Sequence, residues 1–201
     1  MIPLPESLYA RDTVTVARAL LGKTLVHGHR QARIVEVEAY LGTDDLAAHS
    51  SRGVTPRTRV IFGPPGRAYV YLNYGIHECL NVVTGPDGTP GCVLIRGISP
   101  VACLSGPLNG PGKLTKAMDI DRRFYGHPLW LPPLTVCAGP TLPEGHPRDA
   151  PHRHLPLRQT APALSHLKAH TAQPNKVAQP LASCGGSFSK CGSRHHFSLP
   201  Y

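Results

Sequence analysis

Apolar positions follow recognisable periods over the first 144 residues and follow none beyond them. The string Val14-Thr15-Val16-Ala17-Arg18-Ala19-Leu20-Leu21 predicts a helix, with Asp12 as its N-cap and Gly22 as its stop. Residues 24–26, a break at Gly28, and residues 32–41 predict two strands of a hairpin-like pair. Residues 42–59 are polar and punctuated by Gly and Pro, hence loop or short helix. A strand rich in aromatics is predicted over 68–72, with a turn at 73–75. Residues 79–84 and 92–96 read as strands flanking the turn signal Gly85-Pro86-Asp87-Gly88. Residues 113–120 have helical character, with Gly112 just before them. No internal repeat is present. The pattern predicts one α+β domain over residues 1–144.

Composition narrows the class. The chain has 201 residues, 41% of them hydrophobic, which is enough to bury a real core. Its 22 Pro and 20 Gly call for many turns and short elements. No apolar run is long enough to span a bilayer. The first eleven residues carry no basic stretch followed by an apolar one, so a cytoplasmic location is expected. Six Cys, at 79, 92, 103, 137, 184 and 191, form no close pair, which predicts reduced thiols rather than a disulfide framework or a zinc ribbon.

Charge changes the picture only after it is divided. Residues 1–149 hold 15 Lys/Arg against all 12 Asp/Glu, a net of +3. Residues 150–201 hold six Lys/Arg and no acid, a net of +6. A basic balance suggests a polyanionic partner such as nucleic acid, but most of this one sits in the last quarter of the chain.

Four groups of residues could carry chemistry. Strand alternation over 33–42 puts Val35, Val37 and Ala39 on one face, and Glu36, Glu38 and Tyr40 on the other. Carboxylates two residues apart on one face lie roughly 6.5–7 Å apart. They form either a wet acidic face or, with Tyr40 and His49, a general-base site beside a stacking platform. Tyr69, Tyr71 and Tyr74 are either ordinary strand aromatics or base-stacking groups, with Tyr74 at the tip of a turn before Gly75. Asn81 and Arg96 interrupt or end apolar strands and are either structural or pocket-lining. The stretch Gly110-Pro111-Gly112-Lys113-Leu114 could hold a phosphate on its amides, although its spacing is not that of a phosphate loop. Cys184, Cys191, His195 and His196 have no recognised metal-ligand spacing, so no metal site is expected there.

Taken together, Arg33 to Gly42 with His49, Tyr69 to Asn81, and Gly110 to Asp121 resemble the 3-methyladenine (alkyladenine) DNA glycosylase family, in continuous order over roughly residues 4–140. The resemblance implies a single domain with a curved antiparallel β-sheet core and flanking helices. It implies a monofunctional enzyme of base excision repair that flips out alkylated or deaminated purines and hydrolyses the N-glycosidic bond. By position Glu38 matches the carboxylate that activates water, and Arg96 matches a residue beside that water. Tyr40, His49 and Tyr71 match residues that sandwich the flipped base. Asn81 matches the one that crowds the 2-amino group of guanine, and Tyr74 matches the side chain intercalated where the base was. The implied partner is double-stranded DNA with damaged purines, bound by a monomer without cofactor or membrane. No Lys in the matched motifs is placed to form a Schiff base, so a lyase step is not expected. A non-enzymatic damaged-DNA or RNA-binding protein of the same fold is the alternative, and Glu38 argues against it.

Residues 145–201 read differently. Seven of the twelve His lie there, with no acid beyond Asp149 and no apolar period. The family's usual closing segment is missing. Shifted by one nucleotide, the codons for Ala150-Pro151-His152-Arg153-His154 can encode Pro-Arg-Ile-Gly-Ile, which contains that segment. The expectation is an aberrant or disordered tail from a frameshift.

Overall fold

A computed structural model describes residues 1–105, 108–139 and, as backbone, 195–198. Among the described residues seven strands form one antiparallel sheet: β1 Thr24–His27, β2 Arg30–Tyr40, β3 Ala68–Asn73, β4 His77–Val83, β5 Cys92–Ala102, β6 Leu134–Cys137 and β7 His195–Ser198. The first six run in the order β3-β4-β5-β2-β1-β6, and β7 pairs with β2 over Glu36–Ala39 beyond the end of β1. The curved antiparallel sheet with few helices is the architecture that the resemblance implied.

The helix behind Asp12 forms as α2, Thr13–Leu20, and the Asp12 carboxylate accepts a 3.0 Å bond from the Thr15 amide. Its buried Val16, Ala17 and Leu20 face the sheet. A short helix before it, α1 (Glu6–Tyr9), buries Tyr9. Helix α3, Pro111–Met118, packs on β4 and β5 through Leu114, Thr115 and Met118. Gly112 serves that packing: a Cβ there would lie 2.6 Å from the Cβ of His77 on β4. Gly112 therefore lies inside α3, where the expected helix began one residue later, and is a close-approach position.

The sheet separates two apolar groups. The main core gathers Ile34, Val37 and Ala39 of β2, Val70 of β3, Leu80 and Val82 of β4, and Val93, Ile95 and Ile98 of β5 against the helices. A smaller group, Ile61, Tyr69 and Val83 with Val60, Phe62, Tyr71 and Tyr125 around it, lies on the other side. Residues 42–67 supply the cover there, including the 3-10 turns His49–Arg52 and Arg59–Phe62.

The structure corrects the strict alternation expected for β2. Val35 is half-exposed, and Ile34 takes the core position in its place. Pairing steps from Ile34↔Ile98 to Glu36↔Gly97, so Val35 is an extra residue on β2. The next step, to Val37↔Ile95, leaves Arg96 as an extra residue on β5. Paired bulges of this kind switch which side chains face each side of a sheet and re-aim the residue that bulges. The expectation of an aberrant tail over 145–201 lies outside the described residues except for β7, a strand that it did not include. Among the described residues Cys79, Cys92, Cys103 and Cys137 are free thiols.

Candidate active site

One cross-sheet row places most of the site. Tyr69 of β3 lies opposite Asn81 of β4, Asn81 opposite Leu94 of β5, and Leu94 opposite Glu38 of β2. Directly opposed residues project to the same side of a sheet, so Tyr69, Asn81 and Glu38 share a face, and Tyr71, Arg96 and Tyr40 join them two positions along.

Glu38 is 2% exposed, an unusual place for a carboxylate. Its Oε2 lies 2.8 Å from Nη1 of Arg96, while Nε of Arg96 lies 3.4 Å from Oε1 of Glu36. The bulge at Arg96 thus delivers one guanidinium to both carboxylates. Pairing of this quality is what lets an acid stay buried. Gly97 makes room for it, because a Cβ there would lie 3.1 Å from both Cβ and Oε2 of Glu36. The two acids that alternation put on one face are therefore not equivalent. Glu38 is enclosed, and the Glu36 side chain remains 27% accessible.

Beside this pair lies a cavity of about 30 Å³ lined by Tyr40, Ala47, His49, Tyr69, Tyr71, Asn81 and Cys92. Ligand pockets are usually roughly 300–1,000 Å³, so the cavity is closed to a purine until its walls move apart. The rings of His49 and Tyr71 meet edge-on at 4.7 Å, and those of Tyr69 and Tyr71 lie 5.2 Å apart. Nδ1 of His49 and the Tyr69 hydroxyl are hydrogen-bonded at 2.8 Å. Asn81 donates from Nδ2 to the Tyr69 carbonyl at 3.2 Å, which holds its buried amide against the wall. Asp45 accepts from the amides of Leu41 and Ala47, and Ser50 Oγ donates to the Gly42 carbonyl, so the loop that brings in Ala47 and His49 is tied to the end of β2.

Burial pushes the Tyr69 hydroxyl up to about 12 and the Tyr71 hydroxyl up as well, so both stay protonated. Burial first, and then the charges of Arg57 and Arg52, hold His49 below its ordinary 6.5. The folded protein therefore resists protonation that the unfolded chain accepts. Stability contributed by neutral His49 is complete above about pH 7 and is lost as the pH falls through 6.5 towards the folded value. The urea midpoint should drop between pH 7.5 and 5.5, and His49→Gln should drop less. Equal drops would mean that His49 is not held neutral.

Tyr74 stands apart from these residues. It is 91% exposed at the tip of the β3–β4 hairpin, with φ 49°, followed by Gly75 at φ 70° and by Ile76, itself 73% exposed. A non-glycine residue with positive φ is strained, and among the described residues none holds the ring.

Of the residues singled out from sequence, Tyr40, His49, Tyr71 and Asn81 line one cavity, Glu38 and Arg96 pair beside it, and Tyr74 projects into solvent. Ala47 and Cys92 were not singled out, and Tyr69 was left open between a strand aromatic and a base-stacking group. Tyr69 carried a signal, since it shares a strand face with Tyr71 at a spacing of two.

The sequence pattern of the family described as methylpurine-DNA glycosylase matches residues 7–151. A protein of Anaeromyxobacter dehalogenans (strain 2CP-C) is 52% identical over 152 residues, 73% of this chain and 71% of its own length. A second from that species, strain 2CP-1, is 57% identical over 59% of each chain. One from Methanoculleus marisnigri is 48% identical over 161 residues, 73% of this chain and 83% of its own. All three are provisionally named 3-methyladenine DNA glycosylases. The chain belongs to the methylpurine-DNA glycosylase family, a family of DNA-repair hydrolases.

Proposed function

We propose that this protein is a monofunctional DNA glycosylase that binds duplex DNA as a monomer, turns out an alkylated or deaminated purine and hydrolyses its N-glycosidic bond. One observation carries the reading: a buried, Arg-paired carboxylate stands on the same sheet face as a closed aromatic cavity. A protein that only binds DNA has no use for a buried carboxylate beside its base pocket, since burying a charge is costly.

In this reading a purine cannot be reached within the stack and must rotate out, at a cost of about a few kcal/mol that damage lowers. Tyr74 fills the gap. The base stacks among Tyr40, His49 and Tyr71, and Asn81 crowds its 2-position. Glu38, ionised, takes a proton from water as the water oxygen bonds to C1′ and the glycosidic electrons leave with the purine. An alkylated purine departs as a neutral base, whereas a deaminated one takes up a proton from solvent as it leaves. Glu38 also stabilises positive charge developing on the sugar, and Arg96 holds its carboxylate in place. Among the described residues no helix is long and apolar enough to cross a membrane.

A single-turnover reaction on a duplex oligonucleotide carrying hypoxanthine or ethenoadenine, followed by alkali, tests this reading. Strand cleavage only after alkali is expected, and binding without any alkali-labile product overturns it. Asn81→Ser should relax rejection of 2-amino purines by roughly tenfold, the scale of one steric contact in a pocket. Unchanged selectivity against guanine would remove Asn81 from the base pocket.

A further inference from the structure

One cation at the cavity has no role in the scheme above. Arg57 sits in a turn bonded from two sides. The hydroxyls of Thr55 and Thr58 lie 2.8 Å apart and each accepts from the other residue's amide, and Thr58 Oγ1 also donates to the Gly53 carbonyl. The Tyr125 hydroxyl bonds the carbonyls of Pro56 and Arg57 from the other side. A turn so fixed places its side chain, and the guanidinium carbon of Arg57 lies 4.8 Å from the centroid of the Tyr71 ring.

Four carboxylates of this region are engaged elsewhere. Arg96 is shared between Glu36 and Glu38, Glu78 pairs with Arg122, and Asp45 accepts two backbone amides. Among the described residues Arg57 makes no ion pair, so no carboxylate offsets it locally. Its charge reaches both His49 and Tyr69, and Arg52 adds a second positive charge at His49. Tyr71 keeps its proton, so the ring itself brings no negative charge.

We infer that Arg57 sets the charge preference of the cavity, favouring neutral purines over cationic ones. A cationic purine stacked on Tyr71 competes with the guanidinium for the same electron-rich ring and is repelled by it at short range. A neutral purine meets neither penalty. Arg57 is thus a specificity-determining residue, and this role rests on the glycosylase reading.

The test compares wild type, Arg57→Gln and Arg57→Lys on one duplex sequence carrying either 7-methylhypoxanthine, which is cationic, or hypoxanthine, which is neutral; neither has a 2-amino group. Arg57 is exposed, so neither change disturbs the core. Any loss of phosphate contact lowers both rates together and cancels in their ratio. Arg57→Gln is expected to raise the cationic-to-neutral ratio of kcat/KM by about three- to tenfold, while Arg57→Lys stays near wild type. An unchanged or lower ratio in Arg57→Gln, with both bases still excised, overturns the role given to Arg57. If wild type excises neither base, it is the glycosylase reading that falls, and the specificity role with it.

Discussion

Glu38→Gln should lower single-turnover purine release by about 10²–10⁴-fold, the usual range for removing a positioned general base. Lesion binding should survive, because the amide keeps the shape of the carboxylate and the cavity walls are other residues. Losing the charge leaves Arg96 with Glu36 alone, 3.4 Å away, rather than unpaired. A modest loss of stability is therefore expected beside the large loss of rate. Glu36→Gln serves as the internal comparison. Glu36 touches the same guanidinium yet is more accessible, so its removal should cost far less activity. Rates on the two variants at matched folded fraction check the assignment. An inactive Glu36→Gln beside an active Glu38→Gln would reverse it.

Tyr74→Ala should weaken binding to a lesion duplex by roughly ten- to a hundredfold, the scale of one aromatic stacked against bases. The ring is 91% exposed and sits on a strained residue, so the free protein loses no packing when it is cut back. Thermal stability should hold, since Ala keeps the Cβ and with it the cost of the positive φ. The loss should be much smaller on a single-stranded substrate, where no gap needs filling after the base leaves the stack. Binding measured on both substrates decides the point, and equal losses would make Tyr74 a residue of the hairpin rather than a wedge.

Much of this was legible in the sequence because the signals were local. Asp12 before an apolar run, the turn at Tyr74-Gly75, and the strands on either side of residues 85–88 all appeared where their residue types demanded them. The candidate site residues were named through the family resemblance, which implied roles that spacing alone left open. What was missed lies where short-range pattern carries no signal. Period-two alternation cannot see a bulge, so Val35 was put on one face with Val37 and Ala39 and Arg96 was taken as a strand end, whereas β5 runs on to Ala102. Strand β6, Leu134–Cys137, is buried at all four positions and so shows no alternation. Helix α1 is a single turn, too short for a helical period. Arg57 carried no signal, because its meaning comes from a ring fourteen positions away in the chain.

The central claim is that water, activated at Glu38, replaces the purine at C1′. The most direct measurement is a single-turnover reaction of a hypoxanthine duplex in ¹⁸O-labelled water, with the product strand weighed by mass spectrometry. The account predicts an intact strand that has lost hypoxanthine and gained one labelled oxygen, and a Glu38→Gln protein that leaves the strand's mass unchanged. A strand broken without alkali, a product trapped on the protein by borohydride, or equal product from Glu38→Gln would contradict it.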